Sequence, residues 1–333
     1  MRAAIWSSEG TLSVEERPVP EPKPGWVRVR VAAVGICGTD LHFFSGGFPS
    51  PKGLLPGHEV GGTIDAIGDG VTGVEVGTAV AVEPLSGCGV CVQCATGDDN
   101  RCAKRTLYGV TGRGGMADYM TIPANRVYPL GAGLDPHDGA LAEPLAVCVR
   151  GVRLGGIQPG DRVAILGAGT IGLVSVLAAR AAGASEVHVS ARHESQRRLA
   201  ASFGAMELDP SKLGTFDAVI ETVGGSADTL SDAVHLARPG GVVVALGVFE
   251  KPVQFDAFDL CTREIRVAGS NCYGHAGARR DFDIALGLLR EHRDALRTLV
   301  THTFALESVN DAFATAADKS TGSIKVRIDL AKD

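Results

Sequence analysis

The sequence predicts a two-unit protein in which an α/β unit with a doubly wound parallel sheet is joined to a unit made mostly of β-strands. Three observations predict it. The chain has 333 residues, more than the roughly 250–300 that a single core usually serves. Residues 1–145 read as short strands cut by glycine and proline. From residue 161 onward, short apolar runs alternate with helical stretches. Such alternation builds a parallel sheet covered by helices, whereas short strands without helices between them form an antiparallel barrel or sandwich.

In the first part, residues 26–31 (WVRVRV) alternate with period two, as a half-buried strand does. Residues 60–67 and 71–82 continue in this style, cut by Gly68, Gly70, Gly73 and Gly77. The character changes after Glu143. An apolar run at 161–166 ends in Gly167-Ala168-Gly169-Thr170-Ile171-Gly172, and an alanine-rich helical stretch at 173–182 follows. Further apolar runs at 187–189, 216–220 and 241–247 and a charged helical stretch at 194–203 complete the series. The tail holds one helical segment, 282–289, and one strand-like piece, 323–330. There is no internal repeat and no low-complexity linker.

Composition excludes several classes of function. Hydrophobic residues make up 45% and charged residues 21%, as in ordinary globular proteins. A net charge of −6 gives no basic footprint for nucleic acid or an anionic membrane. No apolar run approaches the roughly 20 residues of a membrane span. The first residues lack the apolar core of a secretory leader, so a cytoplasmic location is expected.

The cysteines are Cys37, Cys88, Cys91, Cys94, Cys102, Cys148, Cys261 and Cys272. Four of them follow the spacing Cys88-x2-Cys91-x2-Cys94-x7-Cys102, which suits a closed tetrahedral zinc site serving stability rather than chemistry. Redox pairing of these thiols is one rival. An iron–sulfur cluster is another, because ferredoxins also run C-x2-C-x2-C; there the fourth cysteine comes sooner and precedes proline, whereas Cys102 precedes Ala103.

The glycine loop follows a strand and opens a helix, the setting that dinucleotide binding requires. Gly167 permits the tight turn, Gly169 lets the backbone reach a pyrophosphate, and Gly172 allows close helix–strand packing. The helix N-terminus then offers N–H groups to the phosphates. An NAD site usually places an acid about 20 residues further on. Here the second apolar run ends in Ser190-Ala191-Arg192-His193. Arg192, with Ser190 or Arg197 assisting, suits a 2′-phosphate, so NADP(H) is expected over NAD(H). The bland reading of the same residues is a solvated basic helix start containing Arg197 and Arg198.

Cys37, His58, Glu59 and Glu143 stand in glycine- and proline-rich settings. Taken singly, each has a bland reading: a small buried thiol, a satisfied loop histidine, two surface acids. Their order along the chain is more specific. With GICGTDLH at 35–42, GHEVGG at 57–62, the cysteine lobe, EPLAVCVRGV at 143–152 and GAGTIG at 167–172, the sequence resembles the medium-chain zinc-dependent alcohol dehydrogenase family over essentially its whole length. More narrowly, it resembles the polyol, sugar and threonine dehydrogenase branch.

The resemblance implies a GroES-like catalytic domain at 1–144 and 272–333, with a structural zinc lobe at 86–104, around a Rossmann domain at 145–271. It implies two zinc ions per chain. Cys37, His58 and Glu143 would hold the catalytic ion, Glu59 would ligate it or contact its water, and Asp40 would orient His58. It places Thr170, Ile171, Val223, Leu246, Val248 and Ser270 at the cofactor and Lys325 near the cofactor phosphates. It also implies a homodimer or homotetramer joined through the cofactor domains, with residues 242–248 as the edge strand.

The expected reaction moves a hydride between the nicotinamide and a small alcohol or carbonyl compound across the interdomain cleft. Thr39 and His42 would relay the proton outward; packing beside Phe43 and Phe44 is the bland reading of His42. Phe43, Phe44 and Phe48 are candidate pocket walls. The rival enzyme is a zinc-bearing reductase of a conjugated alkene or iminium, and the rival of another class is a cofactor-binding protein without catalysis.

Overall fold

The computed structural model describes residues 1–8, 10–49, 51–276 and 279–330. The chain divides into two compact units, Met1–Glu143 with Gly274–Asp333, and Pro144–Tyr273.

The second unit is built on six parallel strands. Across the sheet they run Met206–Glu207, Glu186–Ser190, Arg162–Leu166, Phe216–Glu221, Ala237–Ala245 and Arg266–Gly269. Numbered along the chain this is the order 3-2-1-4-5-6, that of dinucleotide-binding sheets. The strand Arg162–Leu166 reads as a continuous apolar run because helices cover both faces: Val163, Ala164 and Ile165 are fully buried. Strand order reverses between it and Phe216–Glu221, where Leu166 pairs with Glu221. A crevice at the carboxyl ends of these two strands follows from that reversal.

One expectation is corrected here. Residues 242–248 do not form an edge, because the strand Ala237–Ala245 pairs on both sides and buries Val242, Val243 and Val244. On that side the edge is Arg266–Gly269, where Val267 is 41% exposed.

The first unit is a seven-stranded sheet. Its path runs Val300–Ala305, Lys325–Asp329, Trp26–Gly35, Glu59–Ile67, Ala79–Val82 and Val127–Pro129, and Tyr119–Pro123 also pairs with Trp26–Gly35. Trp26–Gly35 is the central strand, and its period-two pattern buries Val27, Val29 and Val31. Residues 71–78 are not strand; pairing begins only at Ala79.

Val300–Ala305 and Lys325–Asp329 are parallel and are joined through the helix Val309–Ala317. Lys325–Asp329 falls within the strand expected at 323–330, whereas Val300–Ala305 and the helix have no counterpart in the sequence expectations. Val309, Ala312, Phe313 and Ala316 are buried at the spacing i, i+3, i+4, i+7, but two of the four are alanine and the apolar stripe is faint. Phe313 meets Trp6 edge-on at 5.5 Å, so this late helix helps to close the core begun by the first strand.

Candidate active site and metal sites

The central strand ends at Gly35, which pairs with Glu59 on the next strand. A Cβ on Gly35 would run into the Glu59 carboxylate, so only glycine fits beside it. Two residues on, Cys37 caps the helix Gly38–Phe44, and Asp40 Oδ2 accepts the Cys37 N–H at 3.0 Å. Thr39 and His42 are three residues apart on that helix and share a face. His58 immediately precedes the strand Glu59–Ile67, and Glu143 lies in the first turn of the helix Ala142–Leu154.

The acids and His58 share one buried neighbourhood with Lys325, whereas Thr39 and His42 are half-buried. Asp40, His58, Glu59, Glu143 and Lys325 are each at most 5% exposed. Lys325 Nζ donates to Glu59 Oε1 at 2.7 Å, to Glu59 Oε2 at 2.6 Å and to the Ile36 carbonyl at 3.0 Å. Lys325 is expected near the cofactor phosphates; here Glu59 and Ile36 give its three ammonium protons acceptors inside the first unit. Asp40 Oδ1 lies 3.8 Å from His58 Nδ1, and neither atom has a hydrogen bond.

Burial works against charge on His58, but Asp40, Cys37 and Glu143 outweigh it and hold the imidazole well above its ordinary pKa. Burial raises Asp40, with His58 opposing. Burial also pushes Glu143 up to about 7, a shift that His58 opposes and Glu59 reinforces. Burial lowers Lys325, and Glu59 reverses the effect, leaving it above its usual value.

Three carboxylates therefore face one ammonium and one imidazole in a region closed to water. A divalent cation would balance that excess. The donor set fits: a carboxylate beside Nδ1 orients an imidazole for ligation through Nε2, and Cys37 lies within hydrogen-bonding reach of His58. The set is not closed around an ion, however. Among the described residues, the group whose ligand atoms all lie within 4.8 Å of one another is Cys88, Cys91, Cys94 and Cys102.

That second set fits a zinc ion closely. Tetrahedral zinc–thiolate geometry requires sulfur–sulfur separations of about 3.8 Å, and Cys91 and Cys94 stand 3.5 Å apart. Backbone N–H groups of Val90 and Cys91 lower the Cys88 thiol to about 6, whereas burial raises Cys94 to about 11. A cation is what lets four such thiols ionise together.

Beside this lobe lies a charge network with no local signal in the sequence. Glu83, fully buried, accepts from Arg126 at 2.8 Å, from Tyr128 Oη at 2.7 Å and from Arg280 Nε at 3.1 Å. Asp99, which belongs to the cysteine lobe, pairs with the same two arginines. His275 Nδ1 donates to the Gly97 carbonyl, 2.7 Å away. Asp99, Arg126, His275 and Arg280 line a cavity of about 310 Å³ together with Cys94 of the lobe.

In the second unit the glycine loop has the shape a dinucleotide requires. Gly167 is left-handed at φ 101°, and a Cβ on Gly172 would strike the Gly167 carbonyl. Nothing lies within 4 Å of the place where Gly169 would carry a Cβ, so its backbone faces open space. Thr170 and Ile171 begin the helix Thr170–Ala181 behind it. Leu246 N–H donates to the Glu221 carbonyl and Ser270 N–H to the Ala245 carbonyl, which places both at the carboxyl end of the sheet. Val223 and Val248 flank them, 42% and 46% exposed.

Two residues expected at a 2′-phosphate are engaged nearby. Ser190 Oγ accepts the Gly167 N–H at 3.0 Å and so fixes the turn. Arg197 is tied to Glu194 and to the carbonyls of Ala191 and Arg192. Arg192 is exposed.

Of the three aromatics expected in the pocket, Phe44 packs on Phe313 at 5.4 Å and Phe43 lies 6.5 Å from Trp6, both against the core. Phe48 lies 5.0 Å from the His42 ring.

Glu221 was not foreseen. It is fully buried at the crevice, and its Oε1 accepts from Val223 N at 2.7 Å, Gly224 N at 3.0 Å and Thr229 Oγ1 at 2.7 Å. An acid ending an apolar strand was the available signal.

Comparison with known proteins finds two family models, each matching its own stretch of the chain. Residues 23–132 match the alcohol dehydrogenase GroES-like domain, and residues 170–291 match the zinc-binding dehydrogenase domain. An L-arabinitol 4-dehydrogenase of Aspergillus oryzae is 32% identical over 97% of this chain and 91% of its own. The chain belongs to the medium-chain zinc-dependent alcohol dehydrogenase family, in its polyol dehydrogenase-like branch. It is an NAD(P)-dependent dehydrogenase.

A sorbitol dehydrogenase of Halalkalibacterium halodurans is 31% identical over 98% of both chains. Among solved structures, a chain of Sinorhizobium meliloti 1021 described as a zinc-binding dehydrogenase and bound to NADP superposes with TM-score 0.89, at 35% identity over 98% of each chain. Galactitol-1-phosphate dehydrogenase of Escherichia coli superposes with TM-score 0.90, at 30% identity over 98% of this chain and 99% of that one. Among the described residues no helix is long and apolar enough to cross a membrane.

Proposed function

We propose that this protein transfers a hydride between NADP(H) and a polyol, sugar or related secondary alcohol, with one zinc ion held by Cys37, His58 and a carboxylate and a second by Cys88, Cys91, Cys94 and Cys102. The observation that carries the cofactor choice is the corner after the strand Glu186–Ser190. It offers the exposed Arg192 and no acid at Ser190, Ala191 or His193. A guanidinium suits a 2′-phosphate and gives nothing comparable to a bare hydroxyl. The NADP carried by the Sinorhizobium structure supports the same reading. The named relatives, dehydrogenases of sugar alcohols, support the substrate class and do not favour reduction of an alkene or iminium.

Zinc bound at the first site supplies Lewis acidity that lowers the pKa of an alcohol or polarises a carbonyl, and the nicotinamide supplies the hydride chemistry. The chain's own residues do the rest. Asp40 orients His58, and Lys325 holds Glu59 in place. Either Glu143 or Glu59 completes the ligand set, Glu143 without breaking the Lys325 pair. Gly169 brings backbone N–H groups to the pyrophosphate. Thr39 takes the substrate proton, and His42, on the same helix face, carries it outward. A His42→Gln variant is expected to turn over more slowly near neutral pH and to be partly restored by added buffer base; an unchanged pH profile counts against this path.

The test of the whole reading is kcat/KM for NADPH and NADH over a panel of polyols and secondary alcohols. NADPH is expected to be preferred, and Arg192→Ala to lower kcat/KM for NADPH by roughly 10–100-fold, the worth of one charge-assisted contact. A clear preference for NADH in the unaltered protein refutes the assignment.

A further inference from the structure

The strand Glu186–Ser190 leads through residues 191–193 into the helix Glu194–Ser202. If this corner receives a 2′-phosphate, as proposed above, two arginines are available to it, Arg192 and Arg197. The structure gives the second to an acid. Glu194, the first residue of the helix, holds Arg197 Nε at 3.1 Å through Oε2 and Arg198 Nε at 3.3 Å through Oε1. Arg197 Nη1 donates to the carbonyls of Ala191 at 3.2 Å and Arg192 at 3.4 Å. Arg197 thereby ties the helix start to the turn that carries Arg192.

We infer that Glu194 limits the preference for NADP(H) over NAD(H) by competing with the 2′-phosphate for Arg197. The inference rests on the NADP(H) reading of this corner. A 2′-phosphate brings nearly two negative charges at neutral pH, against the single charge of Glu194. The Glu194 carboxylate is 59% exposed, so its pair with Arg197 is weak and screened. A phosphate dianion can therefore capture the guanidinium, and its oxygens suit the planar fork. It must do so against an acid that keeps repelling it from one helical turn. A ribose hydroxyl meets no such repulsion and leaves the Glu194–Arg197 pair intact. The acid narrows the gap between the cofactors from the NADP(H) side. Arg198, 77% exposed, is too well solvated to contribute much.

Calorimetric titration with adenosine 2′,5′-bisphosphate and with 5′-AMP tests this without turnover. Glu194→Gln is expected to tighten the bisphosphate by roughly 3–10-fold, the effect of one screened charge, and to leave 5′-AMP within about twofold. Glu194→Asp, which keeps the charge, is expected to stay near the parent protein. A parent protein that prefers the bisphosphate while Glu194→Gln changes neither ligand, or both equally, overturns the role of Glu194. A parent protein that binds the bisphosphate no tighter than the monophosphate overturns the NADP(H) reading beneath it.

Discussion

Replacing His58 with Ala is expected to lower kcat/KM for alcohol oxidation by on the order of 10³-fold, because groups that only support a ligand already cost about 10–100-fold when lost. The reasoning starts from burial. His58 is 4% exposed, Asp40 is fully buried beside its Nδ1, and Cys37 is within reach of the same imidazole. Removing the imidazole would take one donor from the proposed ligand set and leave Asp40 without its buried neighbour.

Metal analysis of the same variant separates the two sites. One zinc per chain should remain, held by the four cysteines, and circular dichroism should match the parent. Wild-type turnover in a His58→Ala protein, or the loss of both ions together, would contradict the assignment.

The second large effect concerns stability. Glu83→Ala is expected to destabilise the first unit by about 3–5 kcal/mol, the usual cost of removing one partner from a buried ion pair. Glu83 is fully buried and receives Arg126, Arg280 and the Tyr128 hydroxyl. Without it, two side chains that are only 11% and 16% exposed keep, among the described residues, Asp99 as the anion paired with both.

For a unit of this size such a loss lowers Tm by roughly 7–12 °C. Glu83→Gln, which keeps two hydrogen-bonding groups, should fall by less. Burial raises the Tyr128 hydroxyl pKa and Glu83 adds to the rise, so Tyr128 stays a neutral donor throughout the working pH range. A melting curve for Glu83→Ala within about 2 °C of the parent would show that the network carries no net stability.

How far the sequence reaches depends on the distance over which each signal is set. The four-cysteine lobe and the glycine loop are local: fifteen and six consecutive residues hold all the groups involved, and spacing alone places them. The alternation of apolar runs with helices foretold the parallel sheet, since covering both faces forces those runs to be apolar. The tail helix Val309–Ala317 was hidden because alanines dilute its buried stripe. Which strand forms the edge of the sheet was misread because an apolar run looks the same at an edge and inside.

The sequence by itself determined the chemistry available to this protein: a thiolate-rich lobe, a phosphate cradle, and a thiol, an imidazole and acids in glycine-bound turns. Only the tertiary structure decided which charge answers which. Lys325 meets Glu59 across 266 positions, and Arg280 meets Glu83 across 197. Nothing near any of these residues encodes its partner. The pairing follows from sheet order and depth of burial, and in a region closed to water an unpaired charge is too costly to leave alone.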